Sequence, residues 1–196
     1  KRQLRTSTIQ ANFDFSSESD MVKKFRVGQS LQPLIIALYA NSPFIGGKLT
    51  RYLSYRSHIW TKTDKNRCGL LPFIYDKDFC FERYVEYLLD VPMYFIIRNK
   101  KFIDLTGITF RDYINRNDKK VYNLEPDLSD WKLHATTVFP EVRLKSFLEL
   151  RSADGGPWSR VCALPAFWTG IFYDEGVLDD VWAVSYTHLR AHETDR

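Results

Sequence analysis

The chain has 196 residues, 44% hydrophobic, 15% aromatic and 27% charged, with a formal net charge of +4. This composition excludes a disordered polyelectrolyte and is enough for one domain with a sizeable core. The basic excess is scattered among acids, which suits an anionic small molecule and is too weak for a nucleic-acid partner; no run of about 18 apolar residues offers a membrane span. Lys1-Arg2-Gln3-Leu4-Arg5 leads into a strand pattern without the apolar stretch of a signal peptide. With no initiating Met, the chain reads as an internal piece of a longer protein. Cys68, Cys80 and Cys162 lack CxxC spacing and read as reduced thiols of a cytosolic compartment.

In chain order, Thr8 to Phe15 alternates polar and apolar residues, the period of a half-buried strand. Ser17 is an N-cap with Asp20 three residues on, opening a helix to about Gly28. A second helix spans about Leu31 to Ala40, with Pro33 in its first turn. Asn41-Ser42-Pro43-Phe44 and Gly46-Gly47 form a loop, followed by LSYRSHIW (53–60) with Arg56. Phe81 to Leu89 reads as a helix, and Met93–Ile97 with Phe102–Leu105 as a hairpin around Asn99-Lys100. Helices are predicted over 109–116, 128–138 and 157–173, with a strand from Arg143 to Arg151. The mixed order fits α+β rather than a doubly wound sheet.

The final stretch, VSYTHLRAHETDR (184–196), holds His188 and His192 four apart, half a metal site if helical. VSYTHLRAHET resembles the translation of a transposase sequencing adapter. It is therefore set aside as a loosely packed read-through tail, the natural sequence breaking off near Trp182. His58 and His134 then remain as structural histidines.

The strand EVRLKSFLELR sets Arg143, Lys145, Phe147, Glu149 and Arg151 on one face and Leu144, Ser146, Leu148 and Leu150 on the other. A charged strand face is commonly a solvated one with cross-strand ion pairs. Asp154-Gly155-Gly156-Pro157 immediately afterwards permits a tight turn into a helix N-terminus, which suits an anion site instead. Gln10, Asn12 and Asp14 on the first strand are either a wet face or a row of directed hydrogen-bonding groups. Arg56 alone reads equally as a surface residue.

TIQANFDFSSESDMVKKFR (8–26), LQPLIIALYANSPF (31–44), LSYRSHIWTKTD (53–64), LDVPMYF (89–95), FPEVRLKSFLELRSADGGPW (139–158) and CALPAFW (162–168) together resemble the plant and proteobacterial type of glutamate–cysteine ligase. The resemblance covers about residues 6 to 175, in order. It implies a carboxylate–amine ligase of the glutamine-synthetase-like superfamily, with a curved, mostly antiparallel sheet and helices packed on its outer side. Residues 1–183 would then be part of one ligase catalytic domain, and 184–196 the non-native tail.

The implied activity joins the side-chain carboxyl of L-glutamate to L-cysteine with ATP and Mg²⁺, through a γ-glutamyl phosphate, as the first step of glutathione synthesis. The resemblance makes Glu149 a Mg²⁺ ligand, and Arg151 the grip on the γ-carboxylate and the phosphoryl group it receives. Gln10 would face metal and nucleotide, Asn12 the nucleotide, Arg56 the carboxylate of the incoming amino acid, and Asn41 and Ser42 the substrate. Members carry a Glu-rich metal-binding motif before the point where this chain starts, so this chain alone is expected to be inactive. Leu105 stands where plant members have a regulatory cysteine, which points to a bacterial, cytoplasmic origin. The alternatives are a sibling ligase using another amine and a non-catalytic binding remnant.

Overall fold

The computed structural model describes residues 6–194, with side chains as far as Thr187. Lys1–Arg5 and the side chains of His188 and His192 lie outside the described residues, and so do the expectations placed on them.

Strand β1 (Ala11–Phe13) keeps the opening alternation, with Ala11 and Phe13 buried and Asn12 exposed. Helix α1 (Glu18–Ser30) begins at Ser17, whose hydroxyl accepts from the Asp20 N–H at 3.2 Å, while the Asp20 carboxylate accepts from the Ser16 N–H at 2.8 Å. At Gly28 this helix approaches the sheet closely: a Cβ there would sit 3.2 Å from Leu150 Cδ1 and 3.4 Å from the Phe172 ring. A larger residue would push helix and sheet apart. Helix α2 (Gln32–Leu38) follows, with Pro33 in its first turn. Strands β2 (Phe44–Ile45) and β3 (Lys48–Leu49) turn over Gly46 and Gly47, with φ of 55° and 77°.

Helix α3 (Tyr55–Trp60) is capped by the Ser54 hydroxyl, which accepts from the Ser57 N–H. Next come β4 (Cys68–Gly69), a 3₁₀ turn at Pro72–Tyr75, and α4 (Phe81–Asp90). Strands β5 (Phe95–Arg98) and β6 (Lys101–Asp104) make the expected hairpin. Asn99 and Lys100 both have positive φ (50° and 61°), as a type I′ turn requires. Helices α5 (Phe110–Asn115) and α6 (Leu128–Thr136) follow, the latter opened by a capping box of Asp127 and Asp130. The chain continues through β7 (Phe139–Pro140), β8 (Val142–Leu144), β9 (Leu148–Leu150), α7 (Trp158–Phe172) and α8 (Glu175–Thr194). Helix α8, absent from the sequence reading, packs Leu178 into the core and runs on into the segment set aside as a tail.

The expected curved, mostly antiparallel sheet does not form. The described strands make four small sheets: antiparallel β1-β9-β8, the hairpins β2-β3 and β5-β6, and parallel β4-β7. Curvature accumulates from the twist of long neighbouring strands, and β1, β8 and β9 are three residues each. That sheet was implied by the resemblance, and the polar alternation of the opening segment needs no more than one short half-wet strand. The single strand expected over 143–151 is also corrected, because it is a hairpin. The chain bends at Lys145-Ser146-Phe147, where the Lys145 N–H donates to Phe147 O at 2.8 Å. No Gly, Asn or Asp marks that turn. Arg143 pairs with Glu149 and Leu144 with Leu148. These partners are an even number of residues apart, so the two expected faces survive the break.

The main core gathers Ala11, Phe13, Met21, Phe25, Leu148, Leu150, Leu164, Trp168 and Phe172. Each large apolar side chain buried there stabilises the fold by about 1.5–3 kcal/mol. A second core under the β5-β6 hairpin holds Met93, Ile96, Leu105, Phe110 and Tyr113, with Trp131 packed against both cores. Among the described residues, no helix is long and apolar enough to cross a membrane.

His134 ties α6 to α4, its Nε2 lying 2.8 Å from Leu88 O, with the ring stacked on Phe110. Burial, opposed by the Leu88 hydrogen bond and aided by the nearby Arg67 charge, holds its pKa below the ordinary 6.5. The unfolded chain therefore takes up this proton first as pH falls, so the stabilisation is complete above 6.5 and declines below it. Urea unfolding between about pH 5 and 8 should show stability rising with pH, and His134→Gln should flatten that slope. An unchanged slope in the variant would assign it to other groups.

Candidate functional site

Two constellations meet on the segment from Glu149 to Gly155. The first lies on the polar face of the β1-β9-β8 sheet, where register sets Asn12, Glu149 and Arg143 in one cross-strand row. Leu148 and Leu150 point into the core, which forces Glu149 onto the other face, yet it is 5% exposed. Its Oε2 accepts from Arg143 Nε and from Arg151 Nη1, each at 2.7 Å, and lies 2.7 Å from Arg143 Nη2 as an ion pair. Its Oε1 accepts from Lys145 Nζ at 3.3 Å. With the Gln10 amide turned to satisfy its neighbours, its nitrogen donates to Glu149 Oε1 at 3.3 Å and its oxygen accepts from Arg151 Nη1 at 2.9 Å. Both guanidiniums stand over the Phe139 ring, at 5.6 Å for Arg143 and 5.5 Å for Arg151.

Burial opposes ionisation of Glu149. The hydrogen bond from Arg151 and the charges of Arg143, Arg151 and Lys145 outweigh it and hold the carboxyl below its ordinary range. Burial and the charge of Arg151 pull the Arg143 guanidinium down in turn. Asn12 stands exposed in the same row, and exposed Asp14 takes Lys24 on its backbone carbonyl at 3.2 Å.

The second constellation surrounds Asp154, which is 3% exposed. Its Oδ2 accepts from Ser42 Oγ at 2.6 Å and from the Asn41 N–H at 2.9 Å, and its Oδ1 from Ser54 Oγ at 2.9 Å. Arg56 Nη1 lies 3.9 Å from Oδ1. Ser42 Oγ also accepts from the Arg56 N–H at 3.0 Å, which fixes the start of α3 against the loop. The Arg56 guanidinium is 5% exposed, and desolvation pulls its pKa down. It donates from Nη1 to Ser152 O at 3.0 Å and from Nη2 to Arg151 O at 2.7 Å. Its buried Nε has no hydrogen-bond partner among the described residues.

Asn41, Ser42, Arg56 and Asp154 line a cleft of about 490 Å³, with Phe44, Ile45 and Ile59 as its apolar part. Gly155 lets the N-terminal segment close one side: a Cβ there would lie 2.8 Å from Ser7 Oγ, and the Gly155 N–H donates to Ser7 O at 3.2 Å.

The structure thus brings Gln10, Glu149 and Arg151 together on one face, with Asn12 exposed beside them, and Asn41, Ser42 and Arg56 around one cleft. It joins the two through the bonds from Arg56 to the backbone of Arg151 and Ser152. Sequence reasoning missed Asp154, read as a turn residue, and Arg143, read as one more charge. Alternation did place Arg143 on the face of Glu149 and Arg151, and that was the available signal. Asp154 offered none, because its partners lie about a hundred residues away.

Mg²⁺ prefers near-octahedral oxygen ligands. The Glu149 carboxylate is shared by two arginines and a lysine, and the Gln10 oxygen is taken by Arg151. This donor set does not fit Mg²⁺. Among the described residues, the group with metal-like spacing is Glu18, Cys80 and Glu82, with donor atoms within 4.8 Å of one another. It belongs to neither constellation, and its thiolate suits softer ions than Mg²⁺.

The profile of glutamate-cysteine ligase family 2 matches residues 1–196. The chain belongs to this family. It is 59% identical over 183 residues to the chloroplastic glutamate–cysteine ligase of Solanum lycopersicum, covering 93% of this chain and 35% of that protein. It is 60% identical over 178 residues to the enzyme of Nicotiana tabacum (91% and 34%), and 57% identical over 178 residues to that of Arabidopsis thaliana (91% and 34%). The chain therefore spans about a third of the length of these curated relatives, between 34% and 36%.

These chloroplastic relatives overturn the expected bacterial, cytoplasmic origin. That expectation leaned on Leu105. The side chain is fully buried in the second core, where an apolar residue answers to packing and says nothing of compartment.

Proposed function

We propose that the full-length protein carrying this segment is an ATP-dependent ligase that joins the side-chain carboxyl of L-glutamate to the amine of L-cysteine, in the plastid. The observation that carries this reading is the joining of the two constellations. Arg56, which lines the cleft of about 490 Å³, donates to the backbone of Arg151, whose guanidinium belongs to the cationic face. Family membership and the chloroplastic ligases among the relatives support the reaction class.

In this reading a γ-carboxylate oxygen of glutamate attacks the γ-phosphorus of ATP. ADP leaves, and a γ-glutamyl phosphate forms. The amine of cysteine then attacks the acyl carbon, phosphate leaves, and the nitrogen loses a proton. Arg151 neutralises charge on the carboxylate and on the phosphoryl group it receives, as a planar two-donor group can. The cleft of Asn41, Ser42 and Arg56 holds the amino-acid end, and holding it in place is most of what the second step requires. Family membership implies Mg²⁺ beside ATP, but no step here runs through a metal on Glu149, because its surroundings do not fit one.

The test is amide formation by the full-length protein given ATP, L-glutamate and either L-cysteine or other amino acids. Cysteine-preferring, ATP-dependent γ-glutamyl product is expected. ATP turnover with no amide product would remove the reading. The 196-residue chain by itself is expected to form no amide.

A further inference from the structure

Glu149 occupies the position at which a metal ligand is expected, and everything around it is arranged for a different task. Arg143 is largely committed: its Nε donates to Glu149 Oε2, its Nη2 lies 2.7 Å from the same oxygen, and its Nη1 donates to Val138 O at 3.1 Å and Thr136 O at 3.3 Å. Its Nε and Nη1 are both held by protein oxygens, which makes it an anchor for Glu149. Arg151 differs. Its Nη1 is held by Glu149 Oε2, while its Nε and Nη2 have no acceptor among the described residues. The Nε–Nη2 edge is the planar two-donor edge that takes a carboxylate or phosphate in bidentate fashion. Lys145, on the other oxygen of the same carboxylate, adds a half-exposed positive charge. One acid among three cations leaves the cluster with a net positive charge.

We propose that Glu149 is a positioning residue rather than a metal ligand: anchored by Arg143, it fixes Arg151 so that its Nε–Nη2 edge, with Lys145 alongside, binds an oxyanion directly, without an intervening divalent cation. The ligand class is a phosphoryl or carboxylate group with two oxygens free to accept. This deepens the ligase reading and rests on it for the identity of the oxyanion, but the binding it asserts does not depend on amide formation.

Titration calorimetry of this chain in excess EDTA, with inorganic tripolyphosphate in one arm and glutarate in the other, tests the proposal and separates its two possible sources. Binding of at least one anion without metal is expected, and for that anion Arg151→Lys should weaken binding about tenfold or more, because Lys lacks the fork. Glu149→Gln decides the role of the acid. Removing a negative charge beside an anion site should tighten binding by simple electrostatics. If Glu149 positions Arg151, binding weakens about tenfold instead, and Glu149→Asp restores part of it. Anion binding that needs Mg²⁺, no metal-free binding of either anion, or equal or tighter binding by Glu149→Gln would each overturn the proposal. The metal-free arm uses the unsubstituted chain, so it stands even if a variant proves unfolded by circular dichroism. Amide formation by the full-length protein, assayed separately, tells failure of the ligase reading from failure of this one.

Discussion

Asp154→Ala should lose about 3–5 kcal/mol of folding stability, the range for breaking a buried ion pair by removing one partner. The carboxylate accepts from Ser42, Ser54 and the Asn41 N–H, and faces Arg56. Removing it leaves a 5%-exposed guanidinium, whose Nε has no partner among the described residues, beside an uncharged methyl group. It also frees three donors from two separate loops, so the cleft should lose its shape as the fold weakens. Asp154→Asn keeps the size and one oxygen and should fall between the two. Urea unfolding of the three proteins measures this. A loss below about 1 kcal/mol for the alanine variant would place the group among solvated surface pairs.

Arg151→Lys in the full-length protein should lower turnover by about 10²–10³-fold, the effect of removing one well-placed donor to a developing oxyanion. Lys keeps the charge, but it has no second and third nitrogen to present a planar two-donor edge while the first holds Glu149. The loss should appear in glutamate-dependent phosphate transfer from ATP before any amine is added. A KM increase with unchanged turnover would instead mean that Arg151 binds ground state and transition state alike.

Local signals proved readable wherever neighbours in the chain decide the structure. Ser17 caps α1 as its spacing with Asp20 implies, and Asn99-Lys100 turns the β5-β6 hairpin. Both depend on contacts within a few residues. The features that escaped depend on distant ones. The bend at Lys145-Ser146-Phe147 carries no Gly, Pro, Asn or Asp and exists because β9 pairs with β1 on one side and β8 on the other. Whether alternation belongs to a broad sheet or to three short strands is decided by which segments pair, and period two is the same in both.

At the site, the face shared by Glu149 and Arg151 followed from alternation alone. The pairing of Arg151 with the Glu149 oxygen that Arg143 also holds did not, and it is the observation behind the proposal that Glu149 supports Arg151. Asn41, Ser42 and Arg56 entered only through resemblance. The acid that gathers them, Asp154, looked like an ordinary turn residue before a Gly-Gly-Pro sequence.

The central claim is that the cationic face of β9 serves the transfer of a phosphoryl group to the side chain of glutamate. L-Glutamate labelled with ¹⁸O in its side-chain carboxyl, given to the full-length protein with ATP and L-cysteine, tests this most directly. Activation through γ-glutamyl phosphate predicts that one labelled oxygen leaves in each phosphate released, because the oxygen that attacks phosphorus departs with it. Amide formation with unlabelled phosphate would contradict the account.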